Sequence, residues 1–330
     1  MDSFVPRPHL KWGHWMTLYC WGAPRRFPGL PPPEERLFQV TPDTRVLAHC
    51  YWQPDRRRPT LLALHGLESS SRVHYMQGMA EKAYRAGFNA VLLNQRNCGD
   101  TEHLGPGLYN SGLTDDAIFV MRELTERDGI GAIAVAGYSL GGNLALKLAG
   151  DYGDAPPPWL KAVCAVSPVM ELADCVHALE RRSNVVYQWN FVRGLKARMR
   201  RKDRHWPGTF AIGALDRIRT VREFDEAYTA PYFGYKNAAD YYHRAAAMRV
   251  VDRIRVPALV ITAKDDPFVP VAPFLDPKVT GNPNLTVVVT EHGGHCGFLG
   301  PSAGPEDDGY WAERMIVNFV KAECRMPNDE

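Results

Sequence analysis

Short apolar runs recur along the middle of the chain, and each is followed by a segment in which apolar residues are spaced three or four positions apart. The runs are PTLLALHG (59–66), FNAVLLNQ (88–95), GAIAVAGYS (131–139) and LKAVCAVSP (160–168). The helical patterns between them are YMQGMAEKAYRAG, TDDAIFVMRELTERDG and a segment that begins near Leu140. Continuously apolar strands that alternate with helices predict an α/β fold, with a mostly parallel central sheet and helices on both of its faces.

The pattern changes on either side of this region. Before it, RLFQV and VLAHCYW predict a pair of strands. After it, residues 171–250 contain no convincing strand and predict several helices. The alternation then resumes with PALVITAKDD (257–266) and NLTVVVTEHGGH (284–295), and the helical pattern GYWAERMIVNFVKAE ends it. A helical insertion between two sheet strands predicts a cap over a site, although plain peripheral helices would give the same pattern.

The domain organisation follows from these boundaries. We expect an N-terminal arm over residues 1–34 and one domain over residues 35–330, with the cap insertion at about 171–250. The arm carries three tryptophans and a tyrosine between residues 12 and 21, which raises the alternative of an interfacial anchor. Because prolines and both signs of charge interrupt any apolar face, packing of the arm on the domain is the favoured interpretation.

Composition narrows the class of partner. With 45% hydrophobic residues, 23% charged residues and a net charge of +2, the chain is typical of a globular protein and is not expected to bind nucleic acid. No run approaches the ~20 apolar residues of a membrane span. The seven cysteines form no CxxC pair and no metal-ligand spacing, which favours reduced thiols, a cytoplasmic location and no metal or other cofactor. The basic run RGLKARMRRKDR (193–204) leaves peripheral membrane contact open, but a solvated helix face is favoured.

The most informative motif is Gly137-Tyr138-Ser139-Leu140-Gly141, at which a predicted strand turns into a predicted helix. The flanking positions must be small because such a turn crowds the backbone against its neighbours. The turn lifts the serine hydroxyl out of the sheet and directs the next backbone N–H to the same point. Ser139 is therefore the candidate nucleophile.

A nucleophilic serine needs a base and an acid that orients it. His295 is the candidate base because its loop follows the last predicted strand and is freed by glycines, whereas His292 lies closer to the strand end and is expected to be structural. Asp265 and Asp266 compete for the role of the acid. Asp266 is favoured because it leaves its strand directly before Pro-Phe-Val-Pro and can turn toward the histidine.

Negative charge on a reacting carbonyl oxygen also needs donors. His65-Gly66-Leu67 follows a predicted strand, and a glycine there lets the backbone approach the serine. The backbone N–H groups of Leu67 and Leu140 are therefore the predicted oxyanion hole.

Several motifs together resemble the α/β-hydrolase superfamily, and within it the YheT-type subgroup (the AB hydrolase 4 family) of esterases related to eukaryotic hydrolases of medium-chain esters and phospholipids. They are RPHL, ALHGLESSS, QRNCGDTEHLGPGLYNSGLTDD, AGYSLGGN, VREFDEAYTAPYFGYKNAADYY, AKDDPF and EHGGHCGF, in that order. The resemblance implies an α/β-hydrolase fold with a catalytic triad of Ser139, Asp266 and His295. Gln95 and Asn97 depart from the subgroup's pattern, so the loop that holds them is expected to shape the pocket differently.

These observations predict a serine carboxylic-ester hydrolase that forms an acyl-serine and takes small ester substrates with short- to medium-chain, apolar acyl groups. Six cap aromatics suggest the acyl pocket, although aromatic residues at such spacing are more often plain core. They are Tyr187, Trp189, Phe191, Tyr232, Phe233 and Tyr235. One alternative is an acyltransferase that moves the acyl group to an alcohol, which the lack of a His-x4-Asp motif disfavours. The other is a catalytically idle scaffold that binds a ligand or partner, which the complete triad disfavours.

Overall fold

The computed structural model describes residues 3–302, 304 and 307–324 of the chain. Residues 1–2 of the predicted arm and residues 303, 305–306 and 325–330 of the predicted domain lie outside this range. No helix in the described part of the chain has both the length and the apolar character that a membrane crossing requires.

A single sheet runs through the described residues. Its strands are β1 (Glu34–Thr41), β2 (Thr44–Tyr51), β3 (Thr60–Leu64), β4 (Asn89–Leu93), β5 (Ile133–Tyr138), β6 (Leu160–Val166), β7 (Ala258–Ala263) and β8 (Leu285–Thr290). Their order across the sheet is β1-β2-β4-β3-β5-β6-β7-β8. The pairs β1–β2 and β2–β4 are antiparallel and the other five pairs are parallel. The predicted α/β fold with a mostly parallel sheet is confirmed.

The α-helices connect and cover these strands. They are α1 (Gly13–Gly22), α2 (His74–Arg85), α3 (Asp115–Asp128), α4 (Leu140–Tyr152), α5 (Leu172–Leu179), α6 (Val185–His205), α7 (Val221–Phe224), α8 (Ala230–Tyr232), α9 (Ala238–Ala245), α10 (Pro277–Thr280) and α11 (Trp311–Glu323). A π-helical turn over Asp225–Thr229 joins α7 to α8. Every helix within 171–250 lies between β6 and β7, as the break in the sequence pattern predicts.

Two hydrophobic cores fill the two faces of the sheet. Every residue of β3, β4, β5 and β7 is buried, which explains why these strands read as continuous apolar runs. Alternate residues divide between the faces, so that Leu62 packs with side chains of α3 and α4 while Leu61 packs with side chains of α2 and α11.

The strand register brings the candidate site together at one edge. Leu64 of β3 pairs with Gly137 of β5, so the segments that follow these residues emerge side by side. Ala263 of β7 pairs with Thr290 of β8 in the same direction. Carboxyl ends of parallel strands meet at one edge of a sheet, which is where open α/β folds bind ligands.

The N-terminal arm packs on this edge and on α11. The guanidinium of Arg25 is buried and bonds both carboxylate oxygens of Glu313, at 2.6 and 2.7 Å. Leu10, Met16 and Cys20 form a small core with Leu299 and Tyr310. The arm therefore packs against the sheet edge and α11, and within it residues Gly13–Gly22 form a helix that the sequence pattern does not predict.

Candidate active site

Ser139 occupies the corner between β5 and α4. Its φ of 54° and ψ of −115° place a non-glycine residue in a strained conformation, which the surrounding bonds hold in place. Its backbone N–H donates to the carbonyl of Val166 at 2.9 Å, and its carbonyl accepts from the N–H of Asn143 at 3.0 Å. The corner directs the side chain into a cavity above the sheet.

The small residues of the corner are required by close backbone contacts. A Cβ on Gly137 would lie 2.0 Å from the carbonyl oxygen of Gly141, and one on Gly141 would lie 2.1 Å from that of Leu64. Both distances are far below van der Waals contact. The GxSxG spacing is therefore a steric condition of this turn.

His295 and Asp266 lie next to each other on the neighbouring strand ends. The Nδ1 of His295 is 2.8 Å from Oδ2 of Asp266, whose side chain is completely buried. The other oxygen, Oδ1, accepts the N–H groups of Phe268 and Val269 at 3.0 and 2.9 Å, which fixes the carboxylate. Burial by itself lowers the pKa of His295, but the adjacent Asp266 carboxylate outweighs it and raises that pKa above the ordinary value.

The neighbouring acid and histidine form a separate pair. Asp265 accepts the N–H of Gly294 at 2.8 Å and its Oδ2 lies 3.4 Å from Nδ1 of His292. These contacts brace the loop that carries His295. The geometry thus separates a buried pair, His295 and Asp266, from a more exposed pair that holds the loop.

The loop of His295 is also held from the N-terminal arm. The backbone N–H of His295 donates to Oγ1 of Thr17 at 2.8 Å, and that hydroxyl donates to the carbonyl of Gly13 at 2.7 Å. The N–H of Cys296 donates to Oγ of Ser167, which follows β6. The sequence does not predict that α1 contacts the site, because no local pattern relates residues so far apart in the chain.

The two predicted oxyanion donors are available. Leu67 and Leu140 both line the cavity beside Ser139. Within the described residues, neither backbone N–H has a hydrogen-bond partner, whereas the flanking N–H groups of Gly66 and Glu68 donate to Tyr75 and Tyr109 at 3.1 Å. The N–H of Leu140 also opens α4, where the helix dipole favours negative charge.

His65 fixes the turn that presents Leu67. Burial lowers its pKa to about 4, so the ring is neutral at physiological pH. Nε2 accepts the N–H of Gln95 at 3.1 Å, which leaves the proton on Nδ1 for the carbonyl of Gly66 at 2.8 Å. Gln95 also donates from its side chain to the carbonyl of His65 at 2.7 Å. Gln95, which departs from the pattern of the subgroup that the sequence resembles, therefore links the end of β3 to the end of β4.

A buried network joins α6 to the same turn. Arg198 pairs with Glu68 at 2.8 Å, and its guanidinium lies 4.4 Å from the centre of the Tyr109 ring. The Tyr109 hydroxyl accepts the N–H of Glu68, directly after Leu67. The prediction of a solvated basic face over 193–204 is wrong for Arg198 and Lys202, which are buried. Their spacing from Leu195, at three and seven positions, is the helical signal that could have found them.

Lys202 closes the loop after β4. Its ammonium group donates to the side-chain carbonyl of Asn97 and to the backbone carbonyl of Gly105. Burial and then the charge of Arg198 lower the pKa of Lys202 to about 7. Asn97 thus anchors α6 to this loop, and neither Asn97 nor Gln95 lines the main cavity.

The cavity over Ser139 encloses about 830 Å³ with its open mouth and is mostly apolar. Of the six aromatics predicted to form an acyl pocket, only Phe191 lines it. The aromatic lining comes instead from Tyr109, Phe224, Tyr241, Tyr242 and Phe268. Trp189 and Tyr232 are exposed, because their side chains lie on the outer faces of their helices and cannot reach the cavity.

Comparison with known proteins places the chain among its relatives. The sequence profile of the family described as alpha/beta hydrolase fold matches residues 59–301. The Escherichia coli (strain K12) protein named "Putative esterase YheT" is 38% identical over 269 residues, which cover 80% of this chain and 77% of that protein. The chain is an α/β hydrolase of the YheT-type subgroup.

Other relatives of this hydrolase agree on the class of reaction. The Saccharomyces cerevisiae protein named "Medium-chain fatty acid ethyl ester synthase/esterase 2" is 27% identical over 288 residues, which cover 79% of this chain and 61% of that one. The solved structure of the Pyrococcus furiosus esterase Pf2001 superimposes with a TM-score of 0.57 at 18% identity, over 92% of this chain and 99% of that one, which shows the shared fold. The hydrolase is an enzyme of the esterase and lipase type.

Proposed function

We propose that the hydrolase cleaves carboxylic esters through an acyl-serine intermediate, with Ser139 as nucleophile, His295 as base and Asp266 as the orienting acid. The observation that carries the proposal is the 2.8 Å His295–Asp266 pair, which lies at the same sheet edge as the strained corner of Ser139. A scaffold without chemistry would have no need for a buried carboxylate aimed at a histidine at the sheet edge that also carries a strained serine.

In the proposed reaction, His295 first accepts a proton and then returns it, once in each half of the reaction. Nδ1 of His295 faces Asp266, which leaves Nε2 to take the proton from the Ser139 hydroxyl as its oxygen attacks the ester carbonyl carbon. The carbonyl oxygen becomes negative and is stabilised by the N–H groups of Leu67 and Leu140. His295 then returns the proton to the departing alcohol, and a water molecule repeats the sequence to release the acid.

The cavity supports the proposed substrate class. Its walls are mostly apolar, which favours an apolar acyl group over a charged one. The apolar side chains that line the cavity beside Ser139 are the support for short- to medium-chain acyl groups in this proposal. We also infer a cytoplasmic location, supported by seven cysteines that are all unpaired, and we retain the division into arm, domain and cap as part of this proposal.

Transfer of the acyl group to an alcohol is the second candidate, and the name of the yeast relative favours it. Both reactions share the acyl-serine, so the acceptor decides between them. Product analysis with a simple ester at rising ethanol concentration separates the two. We expect hydrolysis to dominate, whereas transfer that outruns hydrolysis at millimolar ethanol would identify an acyltransferase.

The proposal is tested at the nucleophile. Ser139→Ala should lower the turnover of p-nitrophenyl butyrate by about a millionfold and abolish labelling by a fluorophosphonate probe. Ser183→Ala, at an exposed serine of the same chain, is the control and should retain both. Wild-type turnover in a folded Ser139→Ala protein would exclude the acyl-serine mechanism.

A further inference from the structure

Exposed hydrophobic side chains are concentrated on two adjoining segments. Eight of the eleven large hydrophobic residues that are exposed in the described part of the chain lie on the N-terminal arm or the first turns of α6. We call these eight the aromatic face: Val5, Trp12, Trp15, Tyr19, Trp21, Val185, Val186 and Trp189. Scattered exposed hydrophobic residues are ordinary, but four exposed tryptophans on two contacting segments are not.

The two segments are in direct contact. The ring of His14 stacks on that of Tyr187 with centroids 5.7 Å apart, and Nδ1 of His14 lies 3.2 Å from the Tyr187 hydroxyl. Trp12 packs against His14 at 5.1 Å. The arm and α6 therefore contact each other through these rings, which lie between the exposed residues of the two segments.

Positive side chains without an acidic partner lie on, or next to, the two segments that carry the aromatic face. Residues 3–33 include no aspartate or glutamate. Lys11, Arg26, Arg181, Arg182 and Arg193 are exposed, and none of them forms an ion pair with any described residue. The guanidinium of Arg193 lies 5.2 Å from the ring of Trp189. Indole rings beside basic side chains are the combination that favours the interface of a membrane with anionic lipids.

Aromatic contacts connect the α6 part of the aromatic face to the cavity over Ser139. Tyr187 packs on Phe268 with ring centroids 5.4 Å apart, and Phe268 lies 4.1 Å from the ring of His295. Phe268 also lines the cavity. A surface that contacts this face would therefore be connected, through Tyr187 and Phe268, to the wall of the cavity over Ser139.

We propose that the aromatic face docks the protein on an anionic lipid surface, with its indole rings among the headgroups and its five cations against lipid phosphates. Charge argues against a second copy as the occupant, because a symmetric dimer through this face would bring like charges together. This docking does not depend on the proposed reaction, so Ser139→Ala should bind vesicles as the wild type does.

The experiment measures binding of the full chain to phosphatidylcholine vesicles with and without about one third phosphatidylglycerol, by co-sedimentation at low and high salt. The wild type should bind the anionic vesicles, with a blue shift of tryptophan fluorescence, and should release them in high salt. Trp12→Ser/Trp15→Ser/Trp189→Ser should weaken binding by at least about tenfold. Its matched control, Leu37→Ser/Tyr232→Ser/Leu275→Ser, changes three exposed hydrophobic residues elsewhere and should bind normally.

The charges are tested separately. Arg181→Gln/Arg182→Gln should weaken binding by about fivefold for each cation removed, whereas Arg45→Gln/Arg217→Gln, at exposed arginines outside the face, should not. All four variants should hydrolyse soluble p-nitrophenyl butyrate at the wild-type rate, which shows that they are folded. The proposal would be overturned if the protein did not bind anionic vesicles, or if it bound neutral vesicles equally well. It would also be overturned if the variants in the aromatic face and their control variants had equal effects on binding. A change in oligomeric state, by analytical ultracentrifugation, that only the tryptophan variant shows would overturn it as well.

Discussion

The carboxyl edge of the sheet and the helical segment between β6 and β7 contribute to the candidate site in different ways. At the sheet edge, each residue is positioned by the strand that it follows, as Ser139 is by β5 and Asp266 by β7. In the helical segment, Arg198 acts across the molecule on Glu68, which belongs to a loop far away in the sequence. The first kind of position depends on local chain geometry, and the second depends on contacts between segments that are far apart in the chain.

This difference indicates which substitutions should remove a reacting group and which should only disturb the positions of the reacting groups. Groups at the sheet edge are proposed to touch reacting atoms, whereas Arg198 would act on the Leu67 N–H through Glu68 and Tyr109. The loss of a reacting group leaves no substitute, but the loss of a support leaves the reacting groups present and less well ordered.

The largest effect should separate the paired aspartates at the end of β7. Asp266→Asn should lower kcat by about ten-thousandfold, because the amide cannot hold the imidazole in its working tautomer or stabilise its cation. Asp265→Asn is the matched control and should change kcat only several-fold, since its partners are His292 and the N–H of Gly294. Steady-state kinetics with p-nitrophenyl butyrate gives both numbers. Reversed effects would move the acid role to Asp265.

A smaller effect should follow from the α6 network. Arg198→Met leaves the Glu68 carboxylate buried without its partner, and the disturbed turn should lower kcat by up to about a hundredfold, comparable to a weakened oxyanion donor. KM should change less. Arg200→Met, at an exposed position of the same helix, should leave kcat unaltered.

The double variant Arg198→Met/Glu68→Gln sharpens this test, because it removes the stranded charge and should recover part of the lost kcat. A rise in KM alone, with kcat retained in Arg198→Met, would mean that Arg198 serves only as a wall of the cavity.

The pH profile should report the His295–Asp266 pair. His295 must be neutral to accept the serine proton, and its pKa is raised by the carboxylate, so the acidic limb of kcat/KM should lie above the ordinary histidine value of about 6.5. Activity should fall about tenfold per pH unit below that limb. In Asp266→Asn the limb should move to lower pH. In the wild type, the raised pKa of His295 also stabilises the folded state below about pH 6.5. This contribution is lost as the pH rises through the pKa that His295 has in the folded protein. A wild-type limb below 6.5 would contradict the assigned pair.

The smallest effect should come from the N-terminal arm. Thr17→Val keeps the shape of the side chain but removes the acceptor for the His295 N–H, a hydrogen bond worth about 1 kcal/mol. We expect a several-fold loss of kcat. Thr125→Val, which removes a hydroxyl bond within α3, is the control and should not alter kcat. Equal kinetics for the two variants would show that the arm does not support the site.

The sequence predicted the sheet well because buried parallel strands are apolar throughout and the glycines around Ser139 mark a sterically crowded corner. The order of strand ends also brought Ser139, Asp266 and His295 together in the prediction, and their catalytic roles stay a prediction. The lining of the cavity was not predictable in the same way. Trp189 and Phe224 are both aromatic, but Phe224 lines the cavity and Trp189 is exposed. The side of the helix on which each residue lies decides this difference.

The hydrogen bond between Thr17 and His295 joins residues that are 278 positions apart in the chain. Contacts between such distant segments form only after the intervening chain has become ordered, because the entropy of closing so long a loop must first be overcome. We therefore expect the loop that carries His295 to be among the last parts of the protein to reach its final position. During refolding, catalytic competence should return after helical content has recovered, and on the ribosome it must wait for the final strands to be synthesised.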